Sequence, residues 1–472
     1  MRARPAAVLV ALACVAGLSA AAPARNDPDG TTPLHWAVRA GDLETARRLL
    51  KEGADAKAAN RYGVTPLSLA AEAGNAALID VLLTAGADPN ATISSGQTML
   101  MMAARAGSPA AVTLLAARGA DVNGREAVLG ENAVIWAAVE DHAPVIAALA
   151  ASGADVNARS NVTKFPRRDY GDGKSGRFTV LPRGGWTPLM YAARQDSRAA
   201  IRALATAGAR LDLTDPDGTN ALTLAIINAH YDAATLLLDL GANPNVADAR
   251  GMAALYAAVD MNTLDETPGR PDPKITGSLN SLAMIETLLT HGANPNVALN
   301  ATVLERVHNN GDPVLGAGAT PLMRAARKAD VAAVRVLLSR GADPARAMKG
   351  GVTAVMVASG FGGQVRFAEY NPRSGTERDY LESVRLCVEH GADLNAANDA
   401  GQTALHVAAA QRGDEFIRFL VKSGARLDAK DAQGHTPLDV ALGLGGGRGR
   451  GRAQTAARES TAALLRELAA NP

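Results

Sequence analysis

The stretch GTTPLHWAVRAGDLETARRLLKEGAD, residues 30–55, decides how this chain folds. Thr32 is placed to cap a helix, and Pro33 suits a first turn, where its missing N–H costs nothing. Leu34, Ala37 and Val38 give that helix an apolar face. Gly41-Asp42 breaks the chain, Ala46, Leu49 and Leu50 mark a second helix, and Gly53 can take the left-handed conformation that ends it. Asp55 to Tyr62 then turns back as an extended hairpin, with Gly63 relieving the turn. A pair of such short helices cannot bury a core alone, but a stack of pairs can.

The rest of the chain supplies the stack. The opening glycine recurs as Gly30, Gly63, Gly96, Gly130, Gly185, Gly218, Gly251, Gly318, Gly351, Gly401 and Gly434, in steps of 33, 33, 34, 55, 33, 33, 67, 33, 50 and 33. A second mark, Gly-Ala followed by Asp, Asn or Arg, recurs once per unit from Gly53 to Gly424. Eleven copies of one unit follow, the signature of a repeat architecture. The TPLHWA of residues 32–37, the TALHVA of 403–408 and the repeated GADVN and GADPN resemble the ankyrin repeat family. The resemblance spans about residues 30–472. It implies an all-α solenoid of about eleven helix–turn–helix repeats with β-hairpin fingers along one side, and a role in binding a protein partner. It implies no particular partner and no cofactor.

The long steps locate insertions. In the fourth repeat, the helices keep their normal length, so the 22 extra residues belong to the hairpin finger, between about Arg159 and Arg183. The seventh repeat gains a segment between its helices (263–278) and another in its finger (around Leu299–Ala317). The ninth gains one around Phe361–Thr376 and the eleventh one at 443–452, both between helices. The fourth-repeat finger contains GDGKSGR, residues 171–177, which has the look of a phosphate-binding loop. A true one needs a glycine five residues before Gly173, where Arg168 stands, and a helix after it, where RFTVLPRGG shows no helical pattern. Nucleotide binding is therefore excluded from the expected functions.

No other constellation points to catalysis or metal. Seven of the eight histidines occupy repeat positions: His35, His142, His230, His291, His390, His406 and His435; only His308 lies in an insertion. HExxH and CxxC spacings are absent. Asp55, Asp88, Asp121 and Asp155 fall once per repeat, as turn-forming residues rather than a facing catalytic pair. The arginines of GGGRGRGR (Arg448, Arg450, Arg452) read as a solvated turn, not an RNA-binding segment. The expected protein is non-enzymatic, without metal or cofactor.

The chain has 47% apolar and 20% charged residues and a net charge of +1, which argues against nucleic acid or anionic membrane as partners. Met1–Arg4 carries two arginines, Pro5–Ala24 lacks charge, and Ser19-Ala20-Ala21 offers small residues for cleavage. Residues 1–21 are expected to be a signal peptide, 22–29 a short linker and 30–472 the repeats. An uncleaved membrane anchor is the alternative. Cleavage would leave one cysteine, Cys387, whose apolar helical neighbours mark it as a core residue rather than a nucleophile. The export signal and the alanine- and arginine-rich composition suggest a bacterial protein, periplasmic or secreted. A secreted effector or toxin component acting on another cell is the second reading.

With three Trp, seven Tyr and six Phe in the chain, the placement of rings is informative. Trp36, Trp136 and Tyr191 share one repeat position and are expected in the core. Phe361, Phe367, Tyr370 and Tyr380 fall in the ninth-repeat insertion. Phe165, Tyr170, Phe178 and Trp186 fall in the fourth-repeat finger and its exit, among Arg159, Lys164, Arg167, Arg168, Lys174, Arg177 and Arg183. Aromatic plus arginine is the composition of interface hot spots. Arg61, Tyr62, Phe165, Arg167, Arg168, Tyr170, Arg177, Phe178, Arg183, Trp186 and Arg194 thus form the candidate partner-binding set. The alternative reading of the same finger rings is that they pack the insertion onto the solenoid.

Overall fold

The computed structural model describes residues 26–94, 96–163, 183–264, 273–303, 312, 314–360, 375–411, 413–444 and 452–470. Residues 1–25, most of the fourth-repeat finger, His308, and Phe361, Phe367 and Tyr370 lie outside them.

Capping sets the start of the first helices. Thr32, Thr65, Thr98, Thr187, Thr320, Thr353 and Thr436 each accept a backbone N–H three residues on, and Asn132 and Asn220 do the same where threonine is absent. Proline opens several of these helices.

The described helices form two units. In the first, α1 (Pro33–Arg39) pairs with α2 (Leu43–Lys51), and α3 (Pro66–Glu72) with α4 (Ala76–Thr84). Then come α5 (Met99–Arg105) with α6 (Pro109–Ala117), α7 (Ala133–Val139) with α8 (Ala143–Ala151), and α9 (Pro188–Gln195) with α10 (Arg198–Thr206). In the second, α11 (Ala221–Ile227) pairs with α12 (Tyr231–Asp239), α13 (Ala254–Asn262) with α14 (Ser281–Thr290), and α15 (Pro321–Arg327) with α16 (Val331–Ser339). It ends with α17 (Ala354–Ala358) and α18 (Glu377–Glu389), α19 (Ala404–Gln411) and α20 (Asp414–Lys422), and α21 (Pro437–Leu442) and α22 (Arg452–Ala470). Within each unit, first helices pack on first helices: α1 on α3, α5, α7 and α9 in series, and α11 on α13 through to α21. The all-α repeat fold is as expected.

Leu34, Ala37, Val38 and Ala46 are buried, and each repeat adds its equivalents, so the core is one continuous apolar layer within a unit. The fingers are mostly turns. Two short antiparallel pairs stand out, β1 (Val162–Thr163) with β2 (Arg183–Gly184) and β3 (Ala347–Met348) with β4 (Val352–Thr353).

Adjacent fingers are joined by backbone bonds such as Arg61 N to Asp29 O at 2.8 Å, Asn161 N to Leu129 O at 2.6 Å and Ala249 N to Asp217 O at 2.8 Å. Asparagines add a second tie. Asn90 donates to the Gly119 carbonyl (2.9 Å) and accepts from the Asp121 N–H (2.7 Å), and Asn245, Asn296 and Asn395 repeat this double bond to the next repeat. Asp55, Asp88, Asp121 and Asp155 accept the amide two residues on, as turn-formers.

Two expectations need correction. Tyr380 is not an insertion residue: α18 begins at Glu377, and Tyr380 is buried within it, donating to the Arg327 carbonyl at 3.1 Å. The finger insertion also starts later than Arg159. Residues 159–163 are an ordinary hairpin base, with Ser160 N bonded to Trp186 O (2.9 Å) and Asn161 O accepting from Gly185 N (3.2 Å).

Cys387 is fully buried, and burial pushes its thiol up to about 12. A thiol reagent should therefore leave Cys387 untouched in the native protein and label it only after denaturant is added. Rapid labelling of Cys387 in the native chain would contradict this.

Candidate protein-binding face

In α1, Leu34, Ala37 and Val38 point into the core, while Trp36 and Arg39, three residues apart, share another side. The same two slots recur along the first unit. The first slot holds Trp36, Leu69, Met102, Trp136 and Tyr191; the second holds Arg39, Glu72, Arg105, Val139 and Arg194.

The expectation that Trp36, Trp136 and Tyr191 belong to the core is overturned. Trp36 is 37% exposed, and Leu69, Met102, Trp136 and Tyr191 are half-buried. The slot lies at the margin of the apolar face, so one side of each ring packs on the repeat and the other meets solvent. The second slot is exposed at Arg39, Glu72, Arg105 and Arg194.

One arrangement occurs three times. Trp36 Nε1 donates to Asp27 (2.9 Å), Trp136 Nε1 to Glu131 (3.1 Å) and Trp186 Nε1 to Asp215 (3.3 Å). Over the same rings lie the guanidiniums of Arg39 (5.8 Å), Arg105 (5.5 Å) and Arg194 (5.2 Å). Each indole is thus fixed at its N–H by a carboxylate and stacked by an arginine. Trp186 also meets Tyr191 edge-on, with centroids 5.4 Å apart. Burial, followed by the effect of Glu131, raises the Tyr191 phenol to about 12, while Ser160 opposes the rise.

Of the sequence-predicted set, Trp186 and Arg194 come together here. Arg61 and Tyr62 stack on each other at a fingertip (4.7 Å), with Tyr62 54% exposed. Phe165, Arg167, Arg168, Tyr170, Arg177 and Phe178 lie outside the described residues. Arg183 is placed by its backbone in β2, paired with Thr163. The sequence reading missed Arg39, Arg105, Trp36 and Trp136 as surface residues. Arginine three residues after a large apolar residue was the available signal: Trp36–Arg39, Met102–Arg105 and Tyr191–Arg194. It also missed Val128 and Leu129, exposed apolar residues on a finger.

The second unit treats these slots differently. Leu224, Ala257, Arg324, Val357 and Val407 occupy the first slot and are buried, while Val440 in the last repeat is half-buried. Arg324 donates to Asp260, in the second slot of the preceding repeat, at 2.5 Å, and to the Thr263 carbonyl at 3.2 Å. Arg327 and Asp312 add a 3.1 Å pair. Burial works against the Arg324 charge, but Asp260, Tyr256 and Asp312 more than offset it and hold its pKa above the usual value. Cations on this part of the face are consumed internally.

The histidines are structural where described. His35 Nε2 lies 3.0 Å from the Val64 carbonyl of the next repeat and Nδ1 2.8 Å from Thr32 Oγ1; His406 is placed alike against His435 and Thr403. Among the described residues no three His, Cys, Asp or Glu side chains converge as metal ligands, and no helix is long and apolar enough to cross a membrane.

Comparison with family models matches the description "Ankyrin repeats (3 copies)" at residues 7–93, 69–160 and 176–248. "Ankyrin repeat" matches 317–349 and "Ankyrin repeats (many copies)" 388–441, so matched residues make up well over half the chain. The chain belongs to the ankyrin repeat family. It is 29% identical to the B-cell lymphoma 3 protein homolog of Mus musculus over 267 residues, 56% of this chain and 49% of that protein. It is 35% identical to cyclin-dependent kinase 4 inhibitor B of Bos taurus over 127 residues, 27% of this chain and 83% of that protein. The chain spans about half the length of the first curated relatives it matches. Among solved structures, the ankyrin repeat domain of human ASB11 aligns with a TM-score of 0.41 and 22% identity, covering 56% of this chain and 99% of that one. Ankyrin repeats are protein-interaction scaffolds, and this chain is one by family.

Proposed function

We propose that this ankyrin repeat protein acts as a non-enzymatic scaffold, gripping a protein partner on the first-helix face of its first unit. The observation that carries the reading is the open row of tryptophans, each held by a carboxylate and stacked by an arginine. Tryptophan and arginine dominate binding energy where their positions are fixed, because little side-chain freedom remains to be lost. The finger of the fourth repeat and the Arg61–Tyr62 fingertip extend the contact. The N-terminal pattern supports an exported protein, and N-terminal sequencing from the source organism should then give a mature start near Ala22; an intact Met1 on a cytosolic protein would sink the export reading.

Affinity capture from the source organism tests the binding face. Trp136→Ala should weaken recovery of the native partner about 30-fold, the equivalent of roughly 2 kcal/mol at a hot spot. Excising 164–182, while retaining the hairpin base at 159–163 and 183–186, should reduce capture about tenfold and leave the unfolding midpoint nearly unchanged, since loop closure changes only logarithmically with length. Normal capture by both variants would move the interface elsewhere.

A further inference from the structure

The asparagines that tie one finger to the next differ in the residue that follows them. Asn90, Asn157 and Asn395 precede alanine, Asn245 and Asn296 precede valine, and Asn123 precedes Gly124. Asparagine loses its side-chain amide when the backbone nitrogen of the following residue attacks Cγ. A glycine there leaves that nitrogen unshielded and its backbone free to rotate. Asn310-Gly311 is the other such pair in the chain and lies outside the described residues.

Asn123 is exposed, and its amide nitrogen is held more loosely than in four of its equivalents. Its Nδ2 reaches the Gly153 carbonyl at 3.4 Å, against 2.9 Å for the same bond of Asn90, 3.0 Å for Asn245, 2.9 Å for Asn296 and 3.2 Å for Asn395. Its Oδ1 accepts the Asp155 N–H at 2.8 Å, which stabilises the charge that this oxygen gains as Cγ is attacked. One bond opposes the reaction: Gly124 N donates to the Asp121 carbonyl at 3.1 Å. A single bond of this kind in an exposed turn costs a factor of about five in population to release, and such turns are where native chains open most readily.

We propose that Asn123 is a self-modifying site, at which spontaneous deamidation replaces the neutral tie between the third and fourth repeats with a carboxylate. With the turn open, Gly124 N forms a bond to Cγ and gives up its proton, and the Cγ–Nδ2 bond breaks to release ammonia. Water then adds to either carbonyl of the cyclic imide and opens it. The product is aspartate or, where the main chain now runs through Cβ and Cγ, isoaspartate. The sequence of steps needs no oxidant or reductant. Either product lacks the N–H groups that reached Gly153 and brings a negative charge beside Asp121 and Asp155. A carboxylate facing the Gly153 carbonyl is repelled, so it turns to solvent and the Asp155 N–H loses its acceptor.

The test incubates the folded full chain at neutral pH in water enriched in heavy oxygen and follows each asparagine by peptide mapping. The oxygen taken up marks conversion that occurred during incubation rather than during digestion. Asn123 should convert about tenfold faster than Asn90, Asn157 and Asn395, with isoaspartate among the products. Gly124→Ala, which installs the residue that follows those three, should slow Asn123 about tenfold and leave the others unchanged. Asn123→Asp, a stand-in for one product, should make the Asp155 amide exchange about fivefold faster, while the Asp121 amide, bonded to Asn90, keeps its rate. Conversion at Asn123 no faster than at Asn90 overturns the site, and rapid conversion of Asn310 alone would show that the finger shields Asn123. A Gly124→Ala chain that converts at the native rate overturns the mechanism, and an unchanged Asp155 amide overturns the loss of the tie.

Discussion

Replacing Asp260 with alanine is expected to destabilise the second unit by about 3–5 kcal/mol, the usual consequence of leaving one member of a buried ion pair alone. The two side chains are only 8% and 5% exposed, and the pair is close, with Arg324 Nε 2.5 Å from Asp260 Oδ1. Without Asp260, the Arg324 guanidinium would keep its bond to the Thr263 carbonyl and the attraction of Asp312, but the buried cation would lose its hydrogen-bonded carboxylate. Its Nη1 already lacks an acceptor among the described residues. Urea unfolding followed by circular dichroism, with hydrogen exchange read at α13 and α15, measures the loss where it arises. Joint replacement, Asp260→Leu with Arg324→Met, should come within about 1 kcal/mol of the native chain or exceed it, because the desolvation cost of both charges disappears together. A single-variant loss below about 1 kcal/mol would mean that water reaches the pair and that this part of the face is open too.

Gly251→Ala should cost about 2–3 kcal/mol. The residue has φ +83, where a non-glycine residue loses roughly 1–2 kcal/mol. An added Cβ would also stand 2.7 Å from the Asn300 nitrogen and 2.8 Å from the Ala298 carbonyl oxygen, both backbone atoms of the next finger. Relief requires moving that finger, which breaks the 2.7 Å bond from Asn300 N to Arg250 O, worth about another 1 kcal/mol. Gly86→Ala is the control, since φ is +92 there but no atom lies within 4 Å of the added carbon. It should lose only the conformational part, about 1–2 kcal/mol. Equal losses in the two urea midpoints would show that the close approach of the fingers contributes nothing. Faster exchange of the Asn300 amide in Gly251→Ala alone is the expected local sign.

The repeat was legible because each of its devices is local. Thr32, Pro33 and His35 lie within one turn of the helix that they start, and Gly53 ends a helix by its own backbone conformation, so short sequence windows carry the information. Asp55 and its equivalents bond only two residues ahead, which is why they were recognisable as turn-formers. Cys387 was legible for a related reason: its apolar helical neighbours placed it on the buried side of α18.

Trp36, Trp136 and Tyr191 were misread for want of a neighbour. Hydrophobicity shows that a side chain avoids water in part, but whether a marginal helix position is covered depends on what packs over it from elsewhere. Tyr380 shows the converse, an apparent loop ring that a longer helix buries. The Asp260–Arg324 pair joins residues 64 apart across two repeats, and neither is unusual in its own window.

By itself, then, the sequence determined the eleven-fold period, the paired helices with their caps and the finger turns, since these follow from backbone preferences within a few residues. Only the tertiary structure decided that one pair of repeat slots presents tryptophan and arginine to solvent in the first unit and closes over a buried ion pair in the second. Burial and charge pairing are properties of neighbours brought together by stacking, and the repeat that specifies the stack is the same in both units.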